Sequence, residues 1–197
     1  MGLELEYIDG QTPIDEEEKT GLRIKTISTQ EELNELEQQN IELAIEWTLL
    51  NKFKVQQILT EAFLQAVHKK MFGNVWKWAG KLRVTNKNLG VDRLQIRMYL
   101  RQLLEDCKYW IENHTFTEEE IAIRFKHRLV SIHLFPNGNG RHSRLMADLL
   151  IKALGKEEFT WGSRNLTFDG DIRRQYINAI RDADAGNYEP LLKFSSS

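Results

Sequence analysis

With 197 residues, 41% hydrophobic and 28% charged, and only 3 prolines, the chain has the composition of one folded domain and is too apolar for disorder. Its 27 Lys and Arg face 29 Asp and Glu, a formal net charge of -2 that leaves no cationic excess for a nucleic-acid backbone, so direct nucleic-acid binding is not expected. The single cysteine, Cys107, excludes an internal disulfide and a cysteine-based zinc site, and no apolar run approaches the roughly 20 residues of a membrane span. The opening MGLELEYIDG has neither a basic n-region nor an apolar h-region, so the expectation is a cytoplasmic protein.

Residues 1–28, with the polar stretch TPIDEEEKTG, read as an N-terminal arm, and residues 29–197 as a single domain. From Thr29 the apolar residues Leu33, Leu36, Ile41, Ala44, Ile45 and Leu49 recur at helical spacing and predict a first helix to Leu50. A second is expected from Val55 to Met71, stopping near Gly73. Val75 to Gly90 differs in kind: Trp76 and Trp78, then LRVT and NKNLG, predict a strand pair or hairpin-like flap. A third helix is expected over Leu94–Glu112. Thr117 with Glu120 reads as a capping box opening a fourth, on Ile121, Phe125, Leu129 and Ile132. Another is expected from Arg141 to Gly155, and a last from Asp169, with Pro190 marking a break and the terminal serines fraying. The fold class expected is all-α, a helical bundle with a small β-hairpin flap.

The informative segment is SIHLFPNGNGRHSR, Ser131 to Arg144, between two of these helices. A glycine-rich turn running into a helix presents unpaired N–H groups and the positive end of the helix dipole, a natural phosphate site. Arg141 and Arg144 lie three apart on one helical face, so both guanidiniums can reach one polyphosphate. His133 precedes the turn, placed to act as a general base. The same residues also suit a tight helix connection with a satisfied core histidine. No Lys-Ser/Thr follows the turn and no strand precedes it, which excludes a P-loop. His127, His133 and His142 lack the spacing of a helical zinc motif. Trp76, Trp78, Trp110 and Trp161 read as core or domain-edge packing, with contact of one of them to a nucleotide base as the alternative. Cys107 reads as a buried spectator, and the acidic runs at 16–18 and 118–120 as solvated faces or helix starts.

HLFPNGNGRHSR resembles the Fic family signature His-x-Phe-x-(Asp/Glu)-Gly-Asn-Gly-Arg-x-x-Arg, matching at His133, Phe135, Gly138, Asn139, Gly140, Arg141 and Arg144. Within that family, ELNELEQ, WKWAGK and FPNGNGRHSRLMADLL resemble the small bacterial branch called mobile mystery protein B. The resemblance implies a Fic fold and transfer of a nucleotide monophosphate, most often AMP from ATP with Mg²⁺, onto a Ser, Thr or Tyr hydroxyl of a target protein. It implies that His133 deprotonates that hydroxyl and that Gly138, Asn139 and Gly140 cradle the phosphates. Arg141 and Arg144 would hold the outer phosphates, Phe135 would anchor the loop, and the flap at Leu82–Ile96 would align the target. The branch further implies a co-encoded DNA-binding partner. Other Fic chemistry (removal of AMP, or phosphocholine or phosphate transfer) and a non-catalytic nucleotide- or partner-binding module are the alternatives.

Two features depart from the family pattern. Asn137 stands where the signature has an acidic Mg²⁺ ligand, and a neutral amide gives up the carboxylate's attraction for a hard cation. The family's inhibitory motif, (Ser/Thr)-x-x-x-Glu-(Gly/Asn), has no literal match. Its nearest approach is Leu33–Gln38, where Leu36 and Glu37 align with its aliphatic-glutamate pair, so Glu37 is expected either to pair with Arg144 as an inhibitor or to be one of several solvated acids.

Overall fold

A computed structural model describes residues 12–161 and 170–197. Its described residues form nine α-helices: α1 Glu16–Lys19, α2 Gln30–Leu49, α3 Val55–Ile58, α4 Glu61–Phe72, α5 Ile96–Glu112, α6 Glu118–Ile132, α7 Asn139–Ala153, α8 Asp171–Asp184 and α9 Glu189–Ser195. The all-α architecture is the one expected. α6 and α7 form the central pair, α5 packs on α6, α2 on α4, and α8 on α9. One apolar core, including Phe72, Trp76, Phe125 and Phe135, lies among α2 to α7, and a second, with Ile123, Ala147, Ala179 and Leu191, joins α6 and α7 to α8 and α9.

Local chemistry sets the boundaries. Thr29 and Glu32 form a reciprocal capping box at the start of α2. The helix expected over Val55–Met71 is two, because Leu59 leaves the helical region and Thr60 caps α4 by accepting from the Phe63 N–H. Thr117 caps α6, but the Glu120 carboxylate binds Arg124 instead of closing the box. Pro190 occupies the first turn of α9 rather than ending structure, where its missing N–H costs nothing, and Ser195 is buried. The expected helix start at Asp169 lies outside the described residues.

The flap is not a hairpin. Residues 82–91 carry no strand, and the sole β-bridge among the described residues joins Leu22 to Trp76. The polar groups a hairpin would pair across its two arms are satisfied otherwise. Arg83 N–H donates to Leu134 O and Val91 N–H to Ile132 O, while the Arg83 guanidinium takes the carbonyls of Thr85 and Val91. The stretch from Thr12 to Ile27 is packed rather than free: Ile14, Leu22 and Ile27 are buried, and the Trp78 indole donates to Glu18 O.

Candidate functional site

Two left-handed residues shape the loop between α6 and α7. His133, at φ 60°, ends α6, and Gly138, at φ 77°, opens α7. Only glycine suits position 138, since a Cβ there would also lie 2.6 Å from the Phe72 ring. Phe135 is fully buried and stacks on His68 at 3.7 Å. The Asn139 side chain closes the loop, accepting from Phe135 N–H at 2.9 Å and donating to Phe135 O at 2.8 Å. His68 Nδ1 accepts from Gly80 N–H, so Nε2 is the protonated nitrogen and donates to Asn137 O at 3.0 Å. Burial holds His68 well below the usual imidazole range. A neutral tautomer is therefore built into the loop's support.

The loop delivers α7 with its first N–H groups forward. Asn137 Oδ1 takes the Gly138 N–H at 2.6 Å, and the first helical bond runs from His142 N–H to Gly138 O. The N–H groups of Asn139, Gly140 and Arg141 precede it and form the positive end of the helix dipole. They lie on the wall of a 570 Å³ cavity that His133, Arg141 and Arg144 also line, a volume within the range of small-ligand sites. Because the Asn139 amide is spent on Phe135, that residue faces the cavity only through its backbone.

His133 is 5% exposed. Burial, with the Arg83 charge adding to it and the Val130 carbonyl opposing, brings its pKa down to about 4, so at neutral pH the ring is an uncharged base. Arg83 Nε also donates to His133 O at 2.6 Å, which fixes the left-handed backbone. His133 Nε2 lies 3.0 Å from Thr12 Oγ1, and Nδ1 has no partner in hydrogen-bond geometry.

Glu37 enters the groove from α2, but the expected partner, Arg144, is not the one it meets. Its Oε2 accepts from Arg141 Nη1 at 2.7 Å, and its Oε1 is fixed by the Trp76 indole at 2.6 Å. Arg144, one turn further along α7, sits 5.4 Å over the Tyr176 ring of α8 instead. Glu37 is 4% exposed, so it is not a solvated acid.

A resident Mg²⁺ does not fit these residues. Asn137 offers one neutral oxygen, already accepting from Gly138, and its Nδ2 donates to Thr12 O at 2.8 Å. Among the described residues no three His, Cys, Asp or Glu side chains gather as a metal set. Any Mg²⁺ would arrive with a nucleotide as part of the substrate.

The sequence pattern of the Fic/DOC family matches residues 58–151, which hold the loop and both arginines. This stretch is a Fic/DOC family domain. Protein adenylyltransferase fic-1 of Caenorhabditis elegans is 24% identical over 132 residues, 65% of this chain and 25% of its own length. The chain thus spans about a quarter of the curated relatives it matches. Among solved structures, the N-terminal Fic domain of a putative cell filamentation protein from Bartonella quintana superposes with a TM-score of 0.70 at 19% identity, over 87% of this chain and 84% of that one. BepC from Bartonella tribocorum, with bound AMPPNP, gives 0.69 at 19% identity over 92% of this chain and 97% of its own. At such identity these neighbours establish the Fic fold.

The structure brings His133, Asn137, Gly138, Asn139, Gly140, Arg141, Arg144 and Glu37 to one cavity. Sequence reasoning missed four contributors. Arg83 and His68 support the loop, Trp76 aims Glu37, and Thr12 occupies His133. Trp76 and Arg83 sat in a segment already marked as unusual, whereas nothing local singles out Thr12 or His68.

Proposed function

We propose that the protein is a nucleotidyltransferase that moves AMP, or another nucleotide monophosphate, from a nucleoside triphosphate to a Ser, Thr or Tyr hydroxyl of a protein. The carrying observation is the uncharged His133 at the rim of a cavity whose wall is the N-terminus of α7 with Arg141 and Arg144. Such transfer needs a positioned base and stabilisation of phosphate charge more than covalent help. The name of the fic-1 relatives and the AMPPNP in BepC support the reading.

In this mechanism His133 Nε2 takes the acceptor proton, and the N–H groups of Asn139 and Gly140 bind phosphate oxygens. Arg141, once released from Glu37, neutralises charge on the departing pyrophosphate, and Arg144 holds the outermost phosphate. Glu37 is inhibitory because it occupies Arg141. The sequence strings shared with the mobile mystery protein B branch support placement there, with a co-encoded DNA-binding partner. A single cysteine, which allows no internal disulfide, suits a cytoplasmic setting.

Incubation with labelled ATP, GTP, CTP and UTP tests this. Label should pass to protein from one or more of them, and His133→Ala should lose transfer by ~10²–10⁴-fold while still binding nucleotide. Nucleotide binding without transfer, in the wild type and in Glu37→Gly alike, would leave only a binding module.

A further inference from the structure

The polar atom that His133 meets belongs to the chain itself. Thr12 is 6% exposed, and its Oγ1 lies 3.0 Å from His133 Nε2, within the reach a general base needs for the proton it removes. The residue is clamped on both sides. Asn137 Nδ2 donates to Thr12 O at 2.8 Å, and Lys87 Nζ donates to Pro13 O at 3.3 Å from the flap. Lys87, whose side chain is only 2% exposed, also pairs with Asp15 at 2.7 Å and Glu18 at 2.5 Å, and Thr85 Oγ1 donates to Asp15 at 3.0 Å. Ile14 is buried and lines the same cavity as Thr12, Gly138 and Arg141.

We propose that Thr12 is an acceptor of this protein's own transfer reaction, modified within the same chain. The proposal rests on the transferase reading above and extends it to a named hydroxyl. Thr12 Oγ1 attacks the α-phosphorus of a nucleoside triphosphate, forming the Oγ1–P bond as the bond from phosphorus to the α,β-bridging oxygen breaks. That electron pair leaves with pyrophosphate, and the hydroxyl proton passes to His133 Nε2. The ring is ready for this, because burial keeps it uncharged at neutral pH. A base and hydroxyl already in contact convert the step into an intramolecular one, where positioning contributes most. The flap then serves the chain's own Thr12-Pro13-Ile14-Asp15 segment through Lys87 and Thr85, with no strand pairing.

The test uses the full chain carrying Glu37→Gly, so that Arg141 is free, incubated with ATP and Mg²⁺ and followed by intact mass and peptide mapping. The expected result is a single added AMP on Thr12, formed at a rate independent of protein concentration. It should be lost in Thr12→Ala and in His133→Ala and kept in Thr12→Ser, which retains the hydroxyl. AMP found only on other residues, or a Thr12 rate rising in proportion to protein concentration, overturns the proposal while the transferase reading stands. No AMP on any residue, together with none on a synthetic peptide of residues 8–18 given to the Glu37→Gly, Thr12→Ala protein, overturns both.

Discussion

Glu37 makes two separable contacts, and two substitutions divide them. Glu37→Gln keeps an oxygen for the Trp76 indole but removes the charge on Arg141; Glu37→Gly removes both. A charge-assisted hydrogen bond is worth roughly 1.5–3 kcal/mol. Handing Arg141 from Glu37 to a phosphate should therefore tighten ATP binding by about 10- to 100-fold in Glu37→Gly. The glutamine variant should gain less, because its amide still fills the same space. Stability should move in the opposite order. Glycine inside α2 costs about 1 kcal/mol, and an orphaned buried indole N–H costs roughly 1–3 kcal/mol. For a chain of this size those two terms lower the Tm of Glu37→Gly by about 4–16 °C beyond the loss of the Arg141 contact, which is the only one of the three that Glu37→Gln shares. Calorimetric ATP titration and thermal melts of the three proteins read both quantities. Equal ATP affinity in all three would show that the Arg141 pair does not guard the cavity.

Gly138 and Gly140 should respond oppositely to alanine. At Gly138 the left-handed backbone costs about 1–2 kcal/mol and the Phe72 clash a further 1–3 kcal/mol, so Gly138→Ala should melt well below wild type. At Gly140 a Cβ meets nothing within 4 Å, so Gly140→Ala should keep or raise the Tm while weakening ATP binding, and unchanged affinity would place the phosphates elsewhere. Asn137→Asp should lower the Mg²⁺ concentration needed for half-maximal ATP binding and, by losing the donor to Thr12 O, loosen the N-terminal segment; identical metal titrations would remove position 137 from the metal. Stability should fall with acidity below pH 6.5. His133 and His142 have pKa values lowered to about 4, so the unfolded chain binds two protons there that the folded one does not, whereas Asp148, raised to about 7, binds one only when folded. These three groups leave a net of one proton in favour of the unfolded chain, and His68 and His127, both lowered by burial, add to it with the same sign. The loss is therefore at least about 1.4 kcal/mol per pH unit around pH 5, and a flat urea midpoint between pH 6.5 and 4 would contradict it.

The long helices were legible from their 3.6-residue apolar period, helped at the starts of α2 and α6 by the caps Thr29 and Thr117. The loop was legible because its chemistry is contiguous: His133, the glycines and both arginines fall within a dozen residues. What escaped is non-local. The flap's β-prone LRVT was expected to pair with its neighbour, yet Arg83 spends its guanidinium on carbonyls of the flap and on His133 O, and the ladder never forms. The partner of Glu37 was misread because the motif alignment that pointed to Arg144 carries no information on how high along α7 the carboxylate sits. Trp76, contributed by a turn far along the chain, sets that height and aims the carboxylate at Arg141. Thr12 could not be found at all, since 121 residues separate it from His133 and no pattern links them.

The division of labour along the chain has a consequence for control. The stretch that matches the Fic/DOC family supplies His133, Arg141 and Arg144, whereas the groups seated on His133 and Arg141 come from residues ahead of it. Thr12 touches His133 and Asn137; Glu37 touches Arg141 and Trp76. The two contacts share no partner, so their removal should act almost independently on the cavity. They also differ in kind. A carboxylate on Arg141 competes with phosphate charge and must leave before a nucleotide can use that arginine. A hydroxyl on an uncharged imidazole competes only with another acceptor and is itself chemically competent. On the proposed reading, the chain therefore carries a gate for the nucleotide on α2 and an acceptor for the product in its N-terminal segment, and opening the first exposes the second to reaction.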